Sequence, residues 1–109
     1  MNERDITCIE RINDELRFIA KATKSVDKEA FLLDDVMQHA ITMSLLTIGE
    51  CANHLSDKFK KRHPQIQWIQ IIAVRNIASH GYWQLDMEQI WKAIEEDVPQ
   101  LIEFFKQFY

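Results

Sequence analysis

The chain has 109 residues but only two glycines and two prolines, too few turn formers for a strand-rich or loop-rich fold. Its net charge is −4 and its pI about 5.5, which argues against the broad basic surface that grips nucleic acid along its backbone. Any RNA contact is therefore expected in a small local cleft. The length suits one domain spanning residues 1–109.

The first predicted element is a helix over residues 5–24. Ile6, Ile9, Ile12 (or Asn13), Leu16, Ile19 and Ala20 recur at steps of three and four and line one face. "SVDKEA" then reads as a turn and a fresh start, with Asp27 or Ser25 as the cap. A second, longer helix is predicted from about Leu33 to Phe59. Met37, Ile41, Leu45 (or Ser44), Ile48, Ala52, Leu55 and Phe59 form its main stripe. Val36, Ala40, Met43 and Leu46 add a partial second one. A helix apolar on two sides has to be covered on two sides, either within a monomeric bundle or by a second subunit.

"SDKFKKRHPQ" is a polar connection, and Pro64 stops a helix from running through it. A third helix is predicted from near Ile66 to about His80, with Gly81 at the C-terminal cap position. After "WQLD", Asp86 caps a fourth helix bearing Met87, Ile90, Trp91 and Ile94. Pro99 is expected to break or kink the chain before a last helical segment, "QLIEFFKQFY", whose Leu101, Phe104, Phe105 and Phe108 form a core stripe. The expected fold is all-α, an up-and-down bundle of four to five helices with short connections.

The N-terminus carries no secretory signal pattern, and the longest apolar stretch, around "AITMSLLTIG", is about half the length that crosses a bilayer. Cys8 and Cys51 then read as free thiols in a reducing cytoplasm. A soluble, cytoplasmic protein without membrane attachment is expected.

Chemistry concentrates in "RNIASHGYW", residues 75–83, at the end of the most apolar helix. A guanidinium forks onto phosphate oxygens, and an imidazole exchanges protons near neutral pH. Arg75 and His80 together suit attack of a ribose 2′-hydroxyl on the adjacent phosphodiester. One imidazole removes the 2′ proton, and the guanidinium offsets charge on the phosphorane. A symmetric dimer would bring the second imidazole that protonates the leaving 5′ oxygen. The same residues also admit a purely structural role. Arg75 would then pair with Glu50, His80 would cap a helix C-terminus, and Asn76 would hydrogen-bond nearby backbone. Ser79, four residues after Arg75, is its neighbour on the helix surface.

The ordered series "IGECANHLS" (48–56), "HPQIQW" (63–68), "VRNIASHGYW" (74–83) and "DMEQIWKAIEEDVPQL" (86–101) resembles the HepT-like family of the HEPN superfamily, over nearly the whole chain. The resemblance implies a helical homodimer in which the Arg-x4-His motifs of two subunits meet in a cleft. It also implies a metal-independent endoribonuclease, without cofactor, acting as the toxin of a toxin–antitoxin pair. Carried over by position, Arg75 and His80 are the catalytic pair and Asn76 orients the phosphate or the histidine. Tyr82 falls on the tyrosine that receives adenylyl groups from the partner, an MntA-type nucleotidyltransferase. Cys51 departs from the alanine usual after Gly-Glu.

The alternative is a non-catalytic helical module that binds nucleotide or a partner protein, acting with a nucleotidyltransferase; the acidic balance favours it. Glu50 and Ser79 are assigned supporting roles, Glu50 as the expected partner of Arg75. Gly49 is expected to let a neighbouring helix come close. Cys51, His54 and His39 lack the further convergent ligand a metal site needs, so none is assigned. "KFKKRH" (58–63) is the one compact basic run, either a solvated loop or a surface that meets RNA or an acidic partner.

Overall fold

The computed structural model describes residues 1–79 and 86–108, with the side chains of 76–79 outside the description. The described elements are α1 (Glu3–Thr23), α2 (Lys28–Leu32), α3 (Asp35–His54), α4 (Asp57–Arg62), α5 (Trp68–Ser79) and α6 (Met87–Lys92). A π-helical turn (Ala93–Asp97), α7 (Val98–Phe105) and a closing 3-10 turn (Lys106–Phe108) follow. No strand occurs among the described residues, and the fold is the expected all-α bundle. No described helix is long and apolar enough to cross a membrane.

Local chemistry sets the boundaries. Asn2 caps α1 by accepting from the Asp5 N–H, and Asp27 caps α2 by accepting from Ala30. The single helix expected over 33–59 is instead two pieces, α3 and the start of α4, with the separate short helix α2 just before them. Leu33 closes α2, and Asp34 caps α3 through the Met37 N–H. At the far end Leu55 and Ser56 turn extended, and Ser56 caps α4 by accepting from the Phe59 N–H. Aspartate and serine compete for backbone donors in this way wherever a chain can start a new helix, and an apolar stripe alone does not reveal it.

The bundle core runs between α1, α3 and the C-terminal helices. Ile9, Ile12, Leu16 and Ile19 of α1 meet Ile41, Leu45, Ile48 and Ala52 of α3, with Leu101, Phe104 and Phe105 of α7 closing the layer. Ile6 and Ala20, expected in the α1 stripe, face outward, and Asp5, Cys8 and Asn13 turn inward instead. Each buried polar group of α1 is answered. The Asn13 amide donates to the Phe105 carbonyl at 3.2 Å. Asp5, only 2% exposed, accepts from the Ser56 N–H at 2.8 Å and the Ser56 hydroxyl at 2.7 Å. That pair ties the start of α1 to the end of α3, so the two helices run antiparallel.

Pro99 does not break the C-terminal helix, which runs on through a π-helical turn. It sits in the first turn of α7, directly after the π-helical turn. Proline offers no N–H and its ring crowds the carbonyl four residues back, here that of Glu95. The widened turn around Glu95 absorbs both effects while the helix continues.

The second stripe of α3 is only partly covered by the described residues. Val36 is 79% exposed and Met43 62%, with Ala40 and Leu46 half-buried beside them. The apolar helix α5 is similarly bare. Ile69 is 86% exposed, and every residue from Ile71 to Arg75 is only half-buried.

Candidate functional site

Helix α5 leans on α3, and Gly49 makes the lean possible. A β-carbon placed on Gly49 would stand 2.9 Å from the Ile71 carbonyl oxygen, 3.5 Å from the Arg75 nitrogen and 3.7 Å from the Arg75 Cβ. Only the missing side chain lets the two backbones approach so closely. Trp68, at the start of α5, donates its indole N–H to the His63 carbonyl at 2.9 Å and packs on Phe59, Phe104 and Phe105. This anchors the helix at its other end.

The contact over Gly49 places Arg75 beside Glu50. The Arg75 Nη1 donates to Glu50 Oε1 at 3.1 Å, with a third of the arginine side chain and half of the glutamate exposed. On the other side of the carboxylate, His54 Nε2 stands 3.7 Å from Glu50 Oε2, one helical turn further along α3. The result is a short row of His54, Glu50 and Arg75 across the α3–α5 seam. The Arg75 Nε–H is buried and meets no acceptor among the described residues. An unmet buried donor on a charged group is costly, and Glu50 supplies the one carboxylate contact of this guanidinium among the described residues.

Of the residues singled out in the sequence, Arg75 and Glu50 are therefore adjacent. Asn76 and Ser79 continue α5 beyond Arg75, but their side chains lie outside the described residues, as do His80 and Tyr82 entirely. His54 was not assigned to this site from sequence, although its four-residue spacing from Glu50 was a readable signal.

Beside Glu50, the outer surface of α3 is apolar. Met43 and Leu46 line a shallow depression with Arg11, Thr47 and Cys51. Burial pushes the Cys51 thiol up to about 11, with the neighbouring Cys8 adding to the effect. At neutral pH Cys51 therefore rests mainly as the thiol, the less reactive form.

Residues 12–108 match the family described as ribonuclease HepT-like. The chain is 32% identical to the probable ribonuclease HepT of Thermococcus cleftensis over 85% of its own length and 84% of that protein's. It is 29% identical to a provisionally named RNase of Methanocaldococcus jannaschii, covering 93% of this chain and 94% of that one. A provisionally named RNase of Caldanaerobacter subterraneus subsp. tengcongensis is 30% identical over 85% of this chain and 83% of its own. No solved structure matches. With residues 12–108, nearly the whole length, matched by that family, the chain belongs to the ribonuclease HepT-like family of the HEPN superfamily.

Proposed function

We propose that the protein is a metal-independent endoribonuclease, the toxin of a toxin–antitoxin pair, cutting RNA at a cleft shared by two copies. The observation that carries this reading is Arg75. It is a guanidinium held at the α3–α5 seam by Glu50, with a buried Nε–H left over for a phosphate oxygen. The bare apolar faces of α3 and α5 flank it and suit a second copy as their cover.

In the proposed reaction Arg75 binds the scissile phosphate and Asn76 helps to orient it, with Glu50 and Ser79 as supporting neighbours. The His80 imidazole of one subunit takes the 2′-hydroxyl proton as the 2′ oxygen attacks phosphorus. The bond from phosphorus to the 5′ oxygen breaks, and the second subunit's imidazole returns a proton to that oxygen. The products are a 2′,3′-cyclic phosphate and a 5′-hydroxyl end. Guanidinium charge is most valuable at the phosphorane, where negative charge is greatest.

Neutralisation follows the family pattern. An MntA-type nucleotidyltransferase would transfer AMP from ATP to the Tyr82 oxygen, releasing pyrophosphate. The added phosphate would compete for Arg75 and repel RNA.

The test is expression of the chain alone and of His80→Ala, with growth, RNA integrity and RNA end chemistry as readouts. Wild type should arrest growth and leave cyclic-phosphate ends, and His80→Ala should do neither. Intact RNA with wild type at equal expression would leave the rival reading, a non-catalytic binding module. For the switch, incubation with ATP, magnesium and the transferase should add AMP mass to wild type and none to Tyr82→Phe.

A further inference from the structure

The end of the bundle at the α3–α4 turn holds a second concave site, distinct from the α3–α5 seam. It is a cavity of about 430 Å³, and Asp5, Lys58, Phe59, Arg62, His63 and Phe108 are among its lining residues. Its chemistry is mixed in a particular way. Lys58 and Arg62 are exposed, lie one turn apart on α4, and have no carboxylate partner among the described residues. Lys61 stands exposed next to them, while Lys60 turns back and donates to the Asn53 carbonyl at 3.3 Å. Elsewhere Arg11, Arg17, Lys28, Arg75 and Lys106 each have a carboxylate within ion-pair distance. In a chain of net charge −4, this is a dense run of cations with no ion pair among the described residues, whereas the other unpaired lysines and arginines stand scattered. Like charges one helical turn apart repel, so this arrangement awaits a polyanion.

The wall of the cavity is aromatic. The His63 ring sits 4.7 Å from Phe59, 5.1 Å from Phe104 and 5.7 Å from Phe108, centroid to centroid. Of these rings His63 and Phe108 are only partly buried and line the cavity, so they are the ones with surface left for a ligand. The single opposing charge, Asp5, is almost fully buried and has both oxygens taken by Ser56. Cations at the rim, open rings in the wall and a cavity of nucleotide size are the combination that holds single strands, through phosphate contact and base stacking.

We infer that this cavity is a holding site for single-stranded RNA, with Lys58 and Arg62 on phosphates and His63 and Phe108 against a base. It keeps the strand on the enzyme away from Arg75. The inference takes the polymer's identity from the ribonuclease reading, but its test does not depend on cleavage.

The experiment is titration of a fluorescent single-stranded RNA 12-mer with full-length His80→Ala protein across a salt series. The same series is run with Lys58→Gln/Arg62→Gln and with Lys21→Gln/Lys24→Gln added, the latter removing two exposed cations at the far end of α1. The α4 pair should weaken binding about tenfold or more and lower the slope of log affinity against log salt by about 1.4, from two single-strand phosphate contacts. The α1 pair should change the slope by far less. Equal losses from both pairs, or no loss from the α4 pair, overturn the inference. A polyglutamate peptide of equal charge should bind at least tenfold more weakly than the RNA. Equal binding would reassign the patch to an acidic protein surface and overturn it too. Cleavage by the wild type without α4-dependent binding removes only the holding site. Such binding without any cleavage removes only the ribonuclease reading.

Discussion

Replacing Gly49 by alanine tests the seam that positions Arg75. The new Cβ would sit 2.9 Å from the Ile71 carbonyl oxygen, a backbone atom that cannot rotate away. Helix α5 must shift by a few tenths of an ångström, and overpacking of this kind costs about 1–3 kcal/mol. Alanine in mid-helix returns about 0.5–1 kcal/mol relative to glycine. The net loss is then roughly 0.5–2 kcal/mol, or several degrees in Tm for a chain of this length. Thermal and urea unfolding of Gly49→Ala against the parent, at matched protein concentration, reads this directly. If α5 were not pressed against α3, only the helix-propensity term would act and the variant would be more stable. A Tm equal to or above the parent's therefore refutes the argument.

Three further outcomes follow from other contacts. Ser56→Ala removes the α4 cap and both the hydroxyl bond to Asp5 and its support of a buried carboxylate, and should cost about 2–3 kcal/mol by urea titration; a loss under 0.5 kcal/mol would show that Asp5 does not need it. Cys51, with its thiol pushed up to about 11 from an ordinary 9, should alkylate in the native state about 100-fold more slowly than free cysteine at pH 8, gaining about tenfold per pH unit up to that value. Mass spectrometry after iodoacetamide treatment measures this, and native alkylation at the free-thiol rate would contradict it. Val36→Glu/Met43→Glu places charges on the bare face of α3, where the side chains make little contact within one chain. Sedimentation should show dissociation of the proposed homodimer with unchanged helicity, and an unaltered dimer would put the interface elsewhere.

Much of the architecture was legible because helical spacing writes itself into apolar positions. Ile9, Ile12, Leu16 and Ile19 are buried as their periodicity requires, and so is the stripe from Ile41 to Phe59. What periodicity hid was interruption. The helix start near Leu33 is matched by the Asp34 cap, whereas Ser56 opens a new helix without disturbing the apolar rhythm, because Phe59 of short α4 rejoins the same core. Asp5 was illegible for another reason. A carboxylate near a chain start reads as solvated, and its burial depends on a serine fifty-one positions away. At the candidate site, Gly49 and Glu50 were readable because a glycine and a carboxylate inside an apolar helix both call for a close neighbour, and α5 is that neighbour. His54 escaped because its meaning lay in Glu50's second oxygen. The two-sided apolarity of α3 called for a second cover without saying whether the bundle or another subunit supplies it, and Val36 and Met43 of that second stripe stand exposed.

The carboxylate resting on Arg75 has a consequence for selectivity. A vacant guanidinium would scavenge whatever small anion the medium offers. One already engaged by Glu50 exchanges its counter-ion only for a competitor that outbids a half-exposed carboxylate, a threshold of about 1 kcal/mol at most. In the proposed reaction a phosphodiester that also reaches the buried Nε–H would clear that bar, and Glu50 would idle the arginine between encounters.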